Sequence, residues 1–118
     1  MKTQRWTRRD HDRHEILECA LISRPSSNES FRAIIVDVSL GGLQVRSQSP
    51  VLTGERLTVK IGRDQGSPMF LHADVRYSRL HPDSGLYASG LKFRPESHEE
   101  RLAIAKYLNS AALSRAQI

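Results

Sequence analysis

Arg9 and Arg13 stand four residues apart, and Arg8 precedes them in the run Arg8-Arg9-Asp10-His11-Asp12-Arg13. A second cluster, Asp37-x-Ser39-x-x-Gly42, closes a short apolar stretch. Guanidinium groups present fixed, planar donors that suit phosphates and other anions. Asp37 supplies an acceptor and Ser39 a hydroxyl, while Gly41 and Gly42 let backbone approach a neighbour with no Cβ in the way. Each cluster also has an ordinary structural explanation. Asp37 and Ser39 are good turn formers that bond to their own backbone, Gly42 suits a positive φ, and paired arginines are often simply solvated.

Other chemistry is poorly provided for. His11 and His14 are three apart, with no cysteine or carboxylate cluster to complete a zinc site. Cys19 is the single cysteine, so an internal disulfide framework is excluded. Alternation places Cys19 on one strand face with Leu17 and Leu21, as a small packed hydrophobe. No GxSxG, HExxH or Walker pattern occurs. Asp10 and Asp12 lack the rigid, desolvated setting that acid–base catalysis needs. No catalytic or metal-binding residue is assigned, and a non-enzymatic protein is expected.

The charge distribution points to an anionic partner. Among 118 residues the net charge is +5, and residues 1–14 hold five basic side chains against two acidic ones. The remainder, with thirteen basic and eleven acidic residues, is near neutral. A basic arm on a neutral body suits nucleic acid, a phosphorylated small molecule or an anionic membrane surface. No run reaches the ~20 apolar residues of a spanning helix, and no leader pattern appears, so a cytoplasmic location is expected.

The elements that must position these residues are legible from periodicity. Residues 1–14 have no sustained period and are expected to form an extended or mobile arm carrying Trp6. Short alternating segments follow at Ile16–Ser23, Phe31–Val38, Leu43–Arg46, Arg56–Ile61, Met69–Tyr77 and Leu86–Phe93, separated by turn-forming residues. Met69, Leu71, Ala73, Val75 and Tyr77 are assigned to one face of the fifth. Most of the seven aromatic residues are assigned to inward faces. Ser97–Arg115 changes to helical spacing, with Glu99 and Glu100 in its first turn and Leu102, Ala105, Leu108 and Ala112 as the apolar stripe. Six short strands and a final helix predict a mainly β domain over 15–118, closing into a small barrel or sandwich.

Taken together, the two clusters resemble the PilZ family of cyclic di-GMP receptors, which pairs an RxxxR arm with a D/N-x-S-x-x-G turn. Val36-Asp37-Val38-Ser39-Leu40-Gly41-Gly42-Leu43 is similar to the family's central motif, and Gly90-Leu91-Lys92-Phe93 to its glycine-apolar-basic-Phe strand. The resemblance spans the chain from about Arg8 to the final helix. It implies a six-stranded antiparallel barrel with a C-terminal helix and a ligand lying between arm and turn. It also implies that Arg8, Arg9, Arg13, Asp37, Ser39, Gly41 and Gly42 bind cyclic di-GMP, with Arg76 and Gly90 as secondary candidates.

The chemistry of these residues is compatible with that ligand. Guanine offers O6 and N7 to a guanidinium fork, and its N1–H and amino group to Asp37. An arginine at position 8, just before RxxxR, resembles family versions that hold two stacked ligands, so two per chain are expected. Signalling is then expected in trans to an unidentified downstream protein, with no cofactor. A small barrel that binds RNA or DNA through the arm is the rival reading, disfavoured by the inward assignment of the aromatics. A third reading is a barrel of the same fold that binds no ligand and only docks protein.

Overall fold

The computed structural model describes residues 13–62 and 67–116. Arg56–Ile61 shows most simply why the chain folds as it does: Leu57, Val59 and Ile61 are fully buried, while Arg56 and Lys60 face water. The same alternation builds β1 (Arg13–Arg24), β2 (Glu29–Ser39), β3 (Gly42–Ser47), β4 (Arg56–Ile61), β5 (Met69–His81) and β6 (Leu86–Phe93). All pair antiparallel in the closed order β1-β2-β3-β6-β5-β4. Closure gives every strand a neighbour on both sides for at least part of its length. Ile22, Ile35, Leu57, Ile61, Leu71 and Leu91 fill the interior, each contributing about 1.5–3 kcal/mol by leaving water.

Helix α1 (His98–Ala116) follows β6 and packs mainly on β1. Ser97 caps its start: the Glu100 N–H donates to Ser97 Oγ at 3.0 Å, and Glu100 Oε1 reaches back to accept from the Glu96 N–H at 3.1 Å. The same carboxylate accepts from the His72 N–H at 2.7 Å and lies 2.8 Å from His72 Nδ1, tying the helix to β5. Burial alone would raise the Glu100 pKa. The hydrogen bonds from Glu96 and His72, with the His72 charge, outweigh it and hold the carboxyl below its ordinary value.

Four sequence expectations are corrected. The inward face of β1 is Ile16, Glu18, Ala20 and Ile22, whereas Leu17, Cys19 and Leu21 are exposed. Glu18 is drawn inward because its carboxylate accepts the Tyr107 hydroxyl at 2.6 Å, beneath the helix. The buried stripe of α1 is correspondingly Glu100, Ile104, Tyr107 and Ala111, with Leu102 half exposed. β1 begins at Arg13, so Arg13 and His14 belong to a strand and not to an arm.

The fourth correction is a β-bulge. Val75 pairs with Leu91 but Tyr77 pairs with Gly90, leaving Arg76 as the extra residue. The inserted residue flips the alternation, so Tyr77 leaves the core face and lies on the outside of the barrel. Phe70 is also exposed, and Phe93 and Tyr107 are the buried aromatic residues among those described. Residues 1–12, including Trp6, Arg8 and Arg9, lie outside the described residues.

Candidate functional site

The β1–β2 ladder sets Arg13 opposite Ser39 and Glu15 opposite Asp37. Paired residues of an antiparallel ladder project to the same side, and inward-facing Val38 separates Asp37 from Ser39. Arg13, Glu15, Asp37 and Ser39 therefore share one outer-face corner. The two motifs that are 24 residues apart in sequence at their nearest members, Arg13 and Asp37, become neighbours on adjacent strands.

The turn after β2 holds the corner in place. Ser39 Oγ accepts the Gly41 N–H at 3.3 Å, a local turn bond that leaves the hydroxyl proton to donate outward. The Gly41 carbonyl accepts the Phe93 N–H at 3.0 Å, pinning the turn to β6. Gly42 does not have the positive φ that was one expectation for it. Its requirement is steric: a Cβ there would lie 1.9 Å from the Leu91 carbonyl oxygen, in the backbone of β6. Glycine at 42 therefore serves the barrel's own close packing, which fixes where Asp37 and Ser39 stand.

The Asp37 position extends into a row that runs across the outer surface. Asp37 pairs with Gln44, Gln44 with Gly90, and Gly90 with Tyr77. Three strand spacings put Tyr77 about 14 Å from Asp37. The Tyr77 hydroxyl donates to Gln44 Oε1 at 2.6 Å, and Arg79 lies 5.0 Å from the ring centroid. A Cβ on Gly90 would meet Tyr77 Cε2 at 2.4 Å, so Gly90 is the seat of this ring. Arg76 is exposed at the bulge beside it.

A second row, Gly42–Lys92–Asp74–Arg56, borders the turn. There Asp74 is held by Arg94 and lies 3.5 Å from Arg56 Nε. The surface thus offers cations at Arg13 and Lys92, acceptors at Asp37 and Gln44, a hydroxyl at Ser39 and an aromatic ring at Tyr77. It has donors for phosphate, acceptors for a base edge and a ring for stacking. No trio of histidine, cysteine and carboxylate groups that could hold a metal occurs among the described residues. No described helix is long and apolar enough to cross a membrane.

The fold brings Arg13, Asp37, Ser39, Gly41 and Gly42 to one corner, with Gly90 in the row through Asp37 and Arg76 at its end; Arg8 and Arg9 lie outside the described residues. Gln44, Tyr77, Arg79 and Lys92 were missed. Gln44 was recoverable, being the outward residue between inward Leu43 and Val45. Tyr77 was hidden because period-two counting cannot register the bulge at Arg76.

Barrel and helix define a small closed-barrel domain. The chain belongs to the PilZ domain family, whose model matches residues 7–110. Among solved structures it is similar to the Bacillus subtilis inhibitor of motility MotI/DgrA, with TM-score 0.69 and 20% identity over 91% of this chain and 52% of that one. The PilZ domain of YcgR from Escherichia coli, solved with c-di-GMP, gives TM-score 0.71 and 13% identity over 93% and 95%. The K. pneumonia MrkH–c-di-GMP complex gives 0.76 and 15% over 93% and 55%. The chain therefore spans about half the length of MotI/DgrA and MrkH. A search of curated proteins finds no match.

Proposed function

We propose that this protein is a non-enzymatic cyclic di-GMP receptor whose ligand lies on the outer face between Arg13 and the Asp37–Gly42 turn. The observation that carries the reading is the pairing of Arg13 with Ser39 beside Asp37, which joins the family's two motifs at one corner. Membership of the PilZ family and the c-di-GMP complexes of two similar structures support it. Arg13 and Arg9 serve the guanine O6/N7 edge and the phosphates, Asp37 accepts from the guanine N1–H and amino group, and Ser39 donates to a phosphate or carbonyl oxygen. Arg8 neutralises or stacks on a second ligand molecule, giving two per chain. Binding draws residues 1–12 onto the barrel, and the altered surface signals in trans to another protein.

Calorimetry of the full chain with cyclic di-GMP tests this, with GTP as control. Saturable binding that is strongly weakened in Arg13→Ala and Asp37→Ala supports the reading. Absence of binding by the folded wild type refutes it. Saturation at one ligand per chain would overturn the stoichiometry alone, and unchanged proteolysis of the N-terminal segment on ligand addition would overturn the arm's movement.

A further inference from the structure

Beyond Arg13 and Glu15, the side chains that β1 turns outward are apolar. Leu17 is 83% exposed, Cys19 is exposed, and Leu21 is 36% exposed. Cys19 pairs with Ile34 of β2, itself 43% exposed, so the group is contiguous across the ladder. Single exposed hydrophobes need no explanation, but a contiguous set on the outside of a closed sheet does. These residues line one wide, open hollow together with Arg32 and Arg46.

Three cations flank the apolar centre, while Glu15 and Glu18 line the hollow toward the start of β1. Arg32 pairs with Leu21, Arg46 with Ile34, and Lys60 with Leu21 from the other side. None of the three forms an ion pair among the described residues; Arg46 bonds only the Val45 carbonyl, and Lys60 leans over the Phe70 ring at 6.0 Å. An apolar centre beside three cations that form no ion pair among the described residues complements a ligand that is apolar in the middle and acidic at its flanks. Around Leu21, β1 is already paired on both sides, by β2 and by β4, so no partner can add a strand there. The occupant must instead lay a face on the sheet, which is what an amphipathic helix does. Leu17, Cys19 and Leu21 repeat about every 6.6 Å along β1, close to the ~6 Å between helix residues four apart.

We propose that the outer face of β1 and β2 is the docking surface for an acidic amphipathic helix of a partner protein. The inference rests on the receptor reading only in that a receptor must pass its state to another protein. The ligand corner and the docking face use different residues, so their failures are read separately.

The probe is a labelled 16-residue helical peptide with leucines at every fourth position and glutamates on both flanks. A second peptide carries lysines in place of the glutamates. Fluorescence anisotropy with the full chain should show saturable binding of the glutamate peptide, at least tenfold weaker binding of the lysine peptide, and weakening in 0.5 M salt. Leu17→Ser and Ile34→Ser should each weaken binding about tenfold, and Arg32→Glu with Lys60→Glu should reverse the peptide preference. Melting temperature and cyclic di-GMP calorimetry should remain as in wild type for all of these variants.

Equal affinity for both peptides, no binding, or wild-type binding by both serine variants would overturn the proposal. A concentration-dependent dimer abolished by Leu17→Ser would assign the face to a second copy. Binding to anionic phospholipid vesicles that Leu17→Ser abolishes, with neither peptide bound, would assign it to a membrane. A lowered melting temperature in Leu17→Ser, with neither peptide bound by wild type, would assign it to packing within the chain. Each of these three outcomes also overturns it.

Discussion

Arg13 pairs with Ser39 across the β1–β2 ladder, which makes the last arginine of one motif and the serine of the other a single surface feature. Arg13 sits on a strand, so its backbone needs no ordering when ligand arrives. Arg13→Ala should cost about 2 kcal/mol of cyclic di-GMP binding, roughly 30-fold in Kd, as expected for a charged hydrogen-bond partner. Its side chain is exposed, so the melting temperature should stay within about 1 °C of wild type. Arg13→Lys should recover only part of the loss, because an ammonium lacks the bidentate fork. Calorimetry alongside thermal melting checks both halves.

The two glycines of the surface should respond differently. A Cβ on Gly42 meets fixed backbone, whereas one on Gly90 meets a side chain that can move. Gly42→Ala should therefore destabilise by about 3 kcal/mol or more, and Gly90→Ala by about 1–3 kcal/mol. Adding Tyr77→Ala to Gly90→Ala should restore much of the loss, which makes the pair strongly non-additive. Chemical denaturation of Gly42→Ala, Gly90→Ala, Tyr77→Ala and the Gly90→Ala/Tyr77→Ala double variant measures this directly.

Much of this architecture was legible in the sequence because it depends on short-range alternation. Leu57, Val59 and Ile61 face inward as counted, and the final segment is helical. What failed were faces decided at a distance. Glu18 turns inward because Tyr107, 89 residues away, supplies a hydroxyl, and with it Leu17, Cys19 and Leu21 turn out. Likewise Tyr77 changes side through one inserted residue. The motif residues were found by type and spacing, yet the reason for Gly42 lies in Leu91 of another strand, which no local pattern contains.

The helix tether should make stability fall in acid. Glu100 has a folded-state pKa below its ordinary 4.5, so the fold favours its charged form. That contribution is complete above the unfolded pKa and is lost as pH falls through the lower folded value. His72 and Glu96 are the titratable groups facing it, with His72 Nε2 3.6 Å from Glu96 Oε1. Glu100→Gln should lower stability by about 1–3 kcal/mol near neutrality, because the His72 and Glu96 donors lose a charged acceptor. The gap between variant and wild type should narrow as pH falls below the ordinary carboxylate range. Urea denaturation at stepped pH measures it, and a gap that widens in acid would contradict the tether.

Glu15 stands opposite Asp37 on the outer face, placing a second carboxylate beside the proposed ligand corner. A ligand with two phosphates gains from removing that charge. Glu15→Gln should tighten cyclic di-GMP binding a few-fold at low salt, with the difference shrinking at high salt. Asp37→Asn, which also removes a charge, should instead weaken binding, because an amide cannot accept two donors from the guanine edge as a carboxylate does. The opposite signs separate general repulsion from base reading.

The central claim, that the Arg13–Asp37 corner reads guanine, is tested most directly by titrating the full chain with cyclic di-GMP and cyclic di-AMP under identical salt. Adenine places an amino donor where guanine has O6 and lacks the amino group that Asp37 would accept. Sites built on hydrogen bonds penalise such mismatches steeply, since the buried groups go unpaired. The account predicts that cyclic di-GMP binds at least about 100-fold more tightly. Equal affinity for the two dinucleotides would contradict it and reduce the corner to a site for anions in general.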